Sequence, residues 1–162
     1  MNLISNDLVQ VLEQQWAHET YNSHLYAYIM AFLKNKGLNH LAGLFFAQYK
    51  EEQSHATMIL DLLTDLNADV TFPKIDGCSI KFGTIVDIAN IYLEREILTT
   101  KSLDEIKVMA MDTGNPVVEE RIRTMILLQQ AEYAEATDFL DKATIIGSDW
   151  KLALLLDASL GE

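Results

Sequence analysis

The sequence is poor in everything that would tie it to the cell exterior, to a membrane or to nucleic acid. It has one cysteine, Cys78, in 162 residues. A single thiol excludes a disulfide framework within the chain, and a reducing compartment suits it best. The opening segment, MNLISNDLVQVLEQQW, has no basic stretch followed by an apolar run, so no secretory leader is expected. Nowhere do about 20 apolar residues follow one another, as a membrane-spanning helix requires. The apolar clusters are short, as at Leu152–Leu156. A cytoplasmic protein without a membrane partner is expected. Basic residues are scarce too: 12 Lys and Arg stand against 24 Asp and Glu, a formal net charge of −12. Such a surface repels phosphate backbones, so nucleic acid is not an expected partner, whereas cations are attracted.

Proline is almost missing, with only Pro73 and Pro116. Long proline-free stretches with apolar residues recurring at steps of three and four predict long helices packed nearly parallel in a bundle. Four are expected, over roughly residues 5–36, 39–66, 84–111 and 116–146, with a short fifth near 149–159. Ser5 or Asn6 can cap the first and Gly37 close it. Asn115 can cap the fourth, with Pro116 in its first turn, where proline is tolerated. Gly147 ends it, and Ser148 or Asp149 can cap the fifth. The fold class is all-α, one four-helix-bundle domain spanning residues 1–162. Short links make helices one and two antiparallel, and three and four likewise. The segment of about residues 67–83 reaches ~50 Å when extended at ~3.3 Å per residue. A bundle helix is ~40 Å long at 1.5 Å per residue. The segment can therefore cross the whole bundle and leave helices two and three parallel.

Each core stripe is interrupted near its middle by polar residues: Glu19 on the first helix, Glu52 and His55 on the second, Glu96 on the third, Gln129 and Glu132 on the fourth. The middles of aligned helices lie at one level, so these six side chains should meet in one layer. Four carboxylates buried together are costly unless they are protonated or cations lie between them. Carboxylates with one imidazole suit iron, manganese or zinc, and Glu52-x-x-His55 puts both groups on one helix face. A lone Glu-x-x-His is usually a solvated face. The convergence of four helices on one layer is what favours a metal.

These features resemble the non-haem ferritins, most closely the bacterial ones, over about residues 8–162. The resemblance rests on ETYNSHLY with Glu19 and Tyr26, YKEEQSHA with Glu52 and His55, LEREIL with Glu96, LQQAEYAE with Gln129 and Glu132, and the tail IIGSDWKLALLLDASLG. It implies a ferritin-like bundle with a long crossover and a short C-terminal helix. Glu19, Glu52 and His55 would bind one iron. Glu52 would bridge to a second, held by Glu96 and Glu132, with Gln129 near bound oxygen and Tyr26 hydrogen-bonded at the site. The implied activity is ferroxidase, with dioxygen or peroxide as acceptor, and storage of the ferric product in a homo-oligomeric shell of 24 subunits. Glu51 would be the remnant of an accessory third metal site whose other acids are replaced by Leu128 and Ala131, so that site is expected to be absent or weak. Glu119 and Glu120 would line an iron channel, or serve as dipole-favouring acids at a helix N-terminus. Bacterioferritins would carry a second Glu-x-x-His on the fourth helix and a haem-binding Met where this chain has Gln53, so no haem is expected. Two rivals are carried forward. One is another di-iron carboxylate oxidoreductase, such as a peroxidase, which would show Glu-x-x-His on two helices. The other is a non-catalytic metal-buffering bundle, which would show a degraded ligand set.

Overall fold

A computed structural model describes residues 3–162. Its helices are α1 (Asn6–Asn35), α2 (Asn39–Asp65), α3 (Ile85–Asp112), α4 (Pro116–Ile146) and α5 (Trp150–Ser159), with no strand among the described residues. The helix starts are set by local chemistry. The Ser5 side chain accepts from the Leu8 amide, and Asn115 from the Val118 amide. Thr84 and Asp87 form a reciprocal capping box at α3. Gly37 follows the end of α1 with φ at 78°, a left-handed conformation that suits glycine.

The α1–α2 and α3–α4 hairpins pack together, and the link of residues 66–84 runs between the end of α2 and the start of α3. A loop of that length needs fastening. Glu13, buried in α1, accepts a hydrogen bond from the Thr71 amide. Trp16 and Phe72 rings lie 4.3 Å apart, and the Tyr28 hydroxyl donates to the Ile80 carbonyl at 2.7 Å.

The core is divided in two. One apolar half gathers Ile29, Leu33, Phe45, Ile88 and Phe139. The other gathers Leu8, Leu12, Ile59, Leu103 and Ile122. Between them lies the buried polar layer, in which Glu19, Glu52 and Glu96 are fully excluded from solvent. The site therefore has dry walls above and below.

Candidate metal centre

Helix periodicity alone brings the six expected residues inward. Glu19, Glu52, His55, Glu96, Gln129 and Glu132 are all buried. Two triads result. Glu19, Glu52 and His55 each offer one donor atom within 4.8 Å of the others, and so do Glu52, Glu96 and Glu132. Glu52 belongs to both. His55 Nε2 also lies 3.4 Å from Glu132 Oε1, so the triads adjoin.

The carboxylates are unevenly satisfied. Gln15 Nε2 donates to Glu19 Oε1 at 2.7 Å. The Tyr26 hydroxyl donates to Glu96 Oε1, and Gln129 Nε2 donates to Glu96 Oε2 at 2.6 Å. Glu19 Oε2, both oxygens of Glu52 and Glu132 Oε2 have no hydrogen-bond donor at all among the described residues. Buried polar atoms are almost always paired, so these four bare carboxylate oxygens form a group that could hold cations.

Electrostatics agree with that geometry. Burial, then the charge of Glu19, pushes Glu52 well above the usual carboxylate range. Burial, then the charge of Glu96, pushes Glu132 up to about 9. Burial raises Glu96 as well, opposed by its hydrogen bonds from Tyr26 and Gln129. The Tyr26 phenol is held well above its ordinary value, first by burial and then by Glu96. In the metal-free protein burial and the neighbouring carboxylates thus favour the protonated forms of Glu52 and Glu132, and a divalent cation bound there would displace those protons. On one side Tyr26, Phe45, Tyr92 and Phe139 close the layer with an aromatic wall, the Tyr26 and Tyr92 rings 5.4 Å apart and edge to face.

Not every expected residue falls in this layer. Glu51 is exposed at its rim, within hydrogen-bonding reach of Glu132. Leu128 and Ala131 are also exposed and bring no donor. Glu119 and Glu120 sit in the first turns of α4, about 15 Å along the helix from Gln129 at 1.5 Å per residue. Glu120 pairs with Arg123 at 3.2 Å. Gln53 is exposed and donates to the Tyr49 hydroxyl at 3.0 Å.

A second set of groups was not anticipated from the sequence. Arg95 Nη2 donates to His18 Nδ1 at 2.9 Å and Arg95 Nε to Asn22 Oδ1 at 2.6 Å. His18 Nε2 then meets Thr99 Oγ1 at 2.6 Å. Burial holds His18 down at about 4, so it accepts as a neutral imidazole. This network backs Glu19 and Glu96, and the Arg95 charge favours the ionised form of Glu96. Its signal in the sequence was weak, since His18 and Arg95 each sit one residue before a buried glutamate, Glu19 or Glu96, and off the core stripe.

The ferritin-like domain family model matches residues 9–146. Ferritin BfrB of Mycolicibacterium smegmatis is 29% identical over 139 residues, 86% of this chain and 77% of that protein. The bacterial non-heme ferritin of Staphylococcus aureus is 23% identical over 159 residues, 98% of this chain and 96% of its own. Among solved structures, an open-pore ferritin from the hyperthermophilic archaeon Archaeoglobus fulgidus superposes with a TM-score of 0.91 at 25% identity, covering 99% of this chain and 98% of that one. A humanized archaeal ferritin gives 0.90 at 25% identity, over 97% and 95% of the two chains. The family match runs through all four long helices and every residue of the buried polar layer, and the chain belongs to the ferritin family.

Proposed function

We propose that the protein stores iron and, to do so, oxidises iron(II) to iron(III) in the polar layer at mid-bundle. Glu52 carries this reading. It is completely buried, neither of its oxygens has a protein partner, and it belongs to both triads. A carboxylate so placed is suited to bridging two cations. Glu19 and His55 would complete one position, Glu96 and Glu132 the other.

Two iron(II) ions are the substrate. Each gives up one electron, and dioxygen takes the pair with two protons to become hydrogen peroxide, or peroxide itself is the acceptor. Five hard or borderline donors favour the ferric product over the ferrous substrate. Gln129 and Tyr26 fix Glu96 by donating to its two oxygens, so one ligand is oriented before metal arrives. The aromatic wall keeps bulk water from the layer. Oxidised iron then leaves for storage inside a homo-oligomeric shell, for which 24 subunits is the expected number, in the cytoplasm and without haem. Glu119 and Glu120 are candidates for an iron channel at the α4 N-terminus.

The test adds iron(II) aerobically to metal-free wild-type protein and to Glu52→Ala, following ferric absorbance and the size of the iron-bearing particle. Rapid oxidation in the wild type, at least tenfold slower in the variant, with iron retained in a shell-sized particle, is expected. Wild-type oxidation no faster than buffer would move a metal-buffering bundle ahead. Fast turnover with iron lost from the particle would favour a different di-iron oxidoreductase.

A further inference from the structure

Between α1 and α3, where the 66–84 link passes, lies a cavity of about 590 Å³, a size that suits a small organic molecule. It touches the back of the polar layer through Gln15, which donates to Glu19. His18 and Arg95 line it as well. The oxidation of iron gives this cavity no role.

The Arg95 guanidinium is only partly used. Its side-on edge is taken, Nε by Asn22 Oδ1 at 2.6 Å and Nη2 by His18 Nδ1 at 2.9 Å. One face lies over the Tyr21 ring, 4.8 Å from its centroid. The outer fork of Nη1 and Nη2 has no acceptor among the described residues, and the group pairs with no carboxylate there. Glu96, next in the chain, is occupied, since its oxygens accept from Tyr26 and Gln129. Lys74, from the link, lines the same cavity and is equally without an ion pair among the described residues. A half-buried guanidinium, held in place with its fork open, matches a planar carboxylate through two parallel hydrogen bonds.

The rest of the wall selects among anions. Val11, Ile75, Ile106 and Met109 give it an apolar side, which suits a hydrocarbon body that inorganic phosphate lacks. Asp76 and Glu105, both exposed, line it too, and they oppose a second negative charge. We infer that this cavity binds a singly charged organic carboxylate, its head on Arg95 and Lys74 and its apolar body against Val11, Ile106 and Met109. A ligand held there would rest against Gln15 and His18, and so one contact away from Glu19. The site stands whether or not the neighbouring layer holds metal.

The probe is para-bromobenzoate, a carboxylate on an apolar ring whose bromine is located by anomalous diffraction in soaked crystals of the full chain. Bromine should appear in the α1–α3 cavity with the carboxylate on Arg95, and equilibrium dialysis should give a Kd of about 1 mM or tighter. Arg95→Lys keeps the charge and loses the fork, and should weaken binding about tenfold. Since Arg95 also holds His18 and Asn22, Lys74→Gln, at an exposed position, provides a second reading. It should weaken binding about threefold and leave melting unchanged. Equal affinity in the wild type and both variants would overturn the site. Inorganic phosphate displacing the probe as well as unlabelled benzoate does would overturn the organic carboxylate in favour of a simple oxyanion. Bromine in the crystal without binding in solution would mean binding at crystal concentration only, and would overturn it as well.

Discussion

Glu52 is a liability to the metal-free protein and, on the proposed function, would be the shared ligand of the metal-bound one. Its two bare oxygens lie among Glu19, Glu96 and Glu132, so without a cation every ionised carboxylate there is a cost to folding. Glu52→Gln should therefore raise the melting temperature of the metal-free protein at pH 8, by about 1 kcal/mol or more of stability, while abolishing the gain that zinc(II) gives the wild type. A lower melting temperature in the metal-free variant would show that the carboxylate is satisfied in some other way. The same chemistry sets a pH dependence. Glu132 keeps its proton up to about pH 9 in the fold, against an ordinary 4.5 in the unfolded chain. Between those values unfolding releases a proton, so this contribution is full below about pH 4.5 and is lost as pH rises through about 9. Glu52 and Glu96 are raised in the same direction. Metal-free protein should thus melt progressively lower from pH 5 to pH 9. Zinc(II) binding near neutral pH should release protons, measurable with an indicator dye in weak buffer, and no release would refute the raised values. At this scale the residues of the buried polar layer were legible because each interrupts an apolar stripe at mid-helix. Gln15, Asn22 and Arg95 were not. Their roles depend on tertiary contacts such as Arg95 with Asn22, which no local spacing encodes.

Among the helices, α2 is the one that borrows its start. Leu38, at its N-cap, provides no side-chain hydrogen bond. Asp157 of α5 supplies it: Oδ1 accepts from the Leu41 amide at 2.8 Å, and Oδ2 lies 3.2 Å from His40 Nδ1. A carboxylate at a helix N-terminus also meets the positive end of the helix dipole. One buried side chain thus caps α2 and pins α5 to the bundle. Asp157→Ala should cost about 0.5–2 kcal/mol, the usual range for losing a cap, and should speed hydrogen exchange at the Leu41 amide more than at amides in mid-α2. Uniform acceleration would mean a general loss of stability and no specific cap. The helix limits themselves were readable to within about a residue, because Ser5, Thr84 and Asn115 cap from within their own segments. The Asp157 cap joins residues 116 positions apart, and the loop fastenings from Glu13 and Tyr28 span 58 and 52. Sequence patterns do not carry pairings at that distance.

For the whole molecule, α5 divides its apolar residues between two audiences. Ala153 and Leu156 are buried against the chain's own bundle, and the Trp150 indole donates to the Gly83 carbonyl at 2.9 Å. Leu152, Leu154 and Leu155 are 43%, 52% and 64% exposed. One face of α5 docks on the chain's own bundle, and the other leaves three leucines exposed. A run of exposed leucines is what a subunit contact looks like from one side, and the helix is already anchored, so these leucines add nothing to the isolated fold. Replacing Leu154 and Leu155 by Glu should therefore leave helical content and melting of the bundle nearly unchanged, since exposed positions tolerate polar residues. Assembly should respond differently. Contact between α5 copies would bring the new carboxylates together in a low-dielectric setting, where like charges repel strongly. Sedimentation velocity should then show a shift from shell-sized particles to small oligomers, and iron retention should fall even though the buried polar layer, over the middle of α1 to α4, is intact. A variant that sediments as a full shell would mean that these leucines face solvent in the assembly and that the shell is closed by other surfaces. Oxidation without retention in the disassembled variant would separate the two halves of the proposed function, chemistry in the single bundle and storage in the whole.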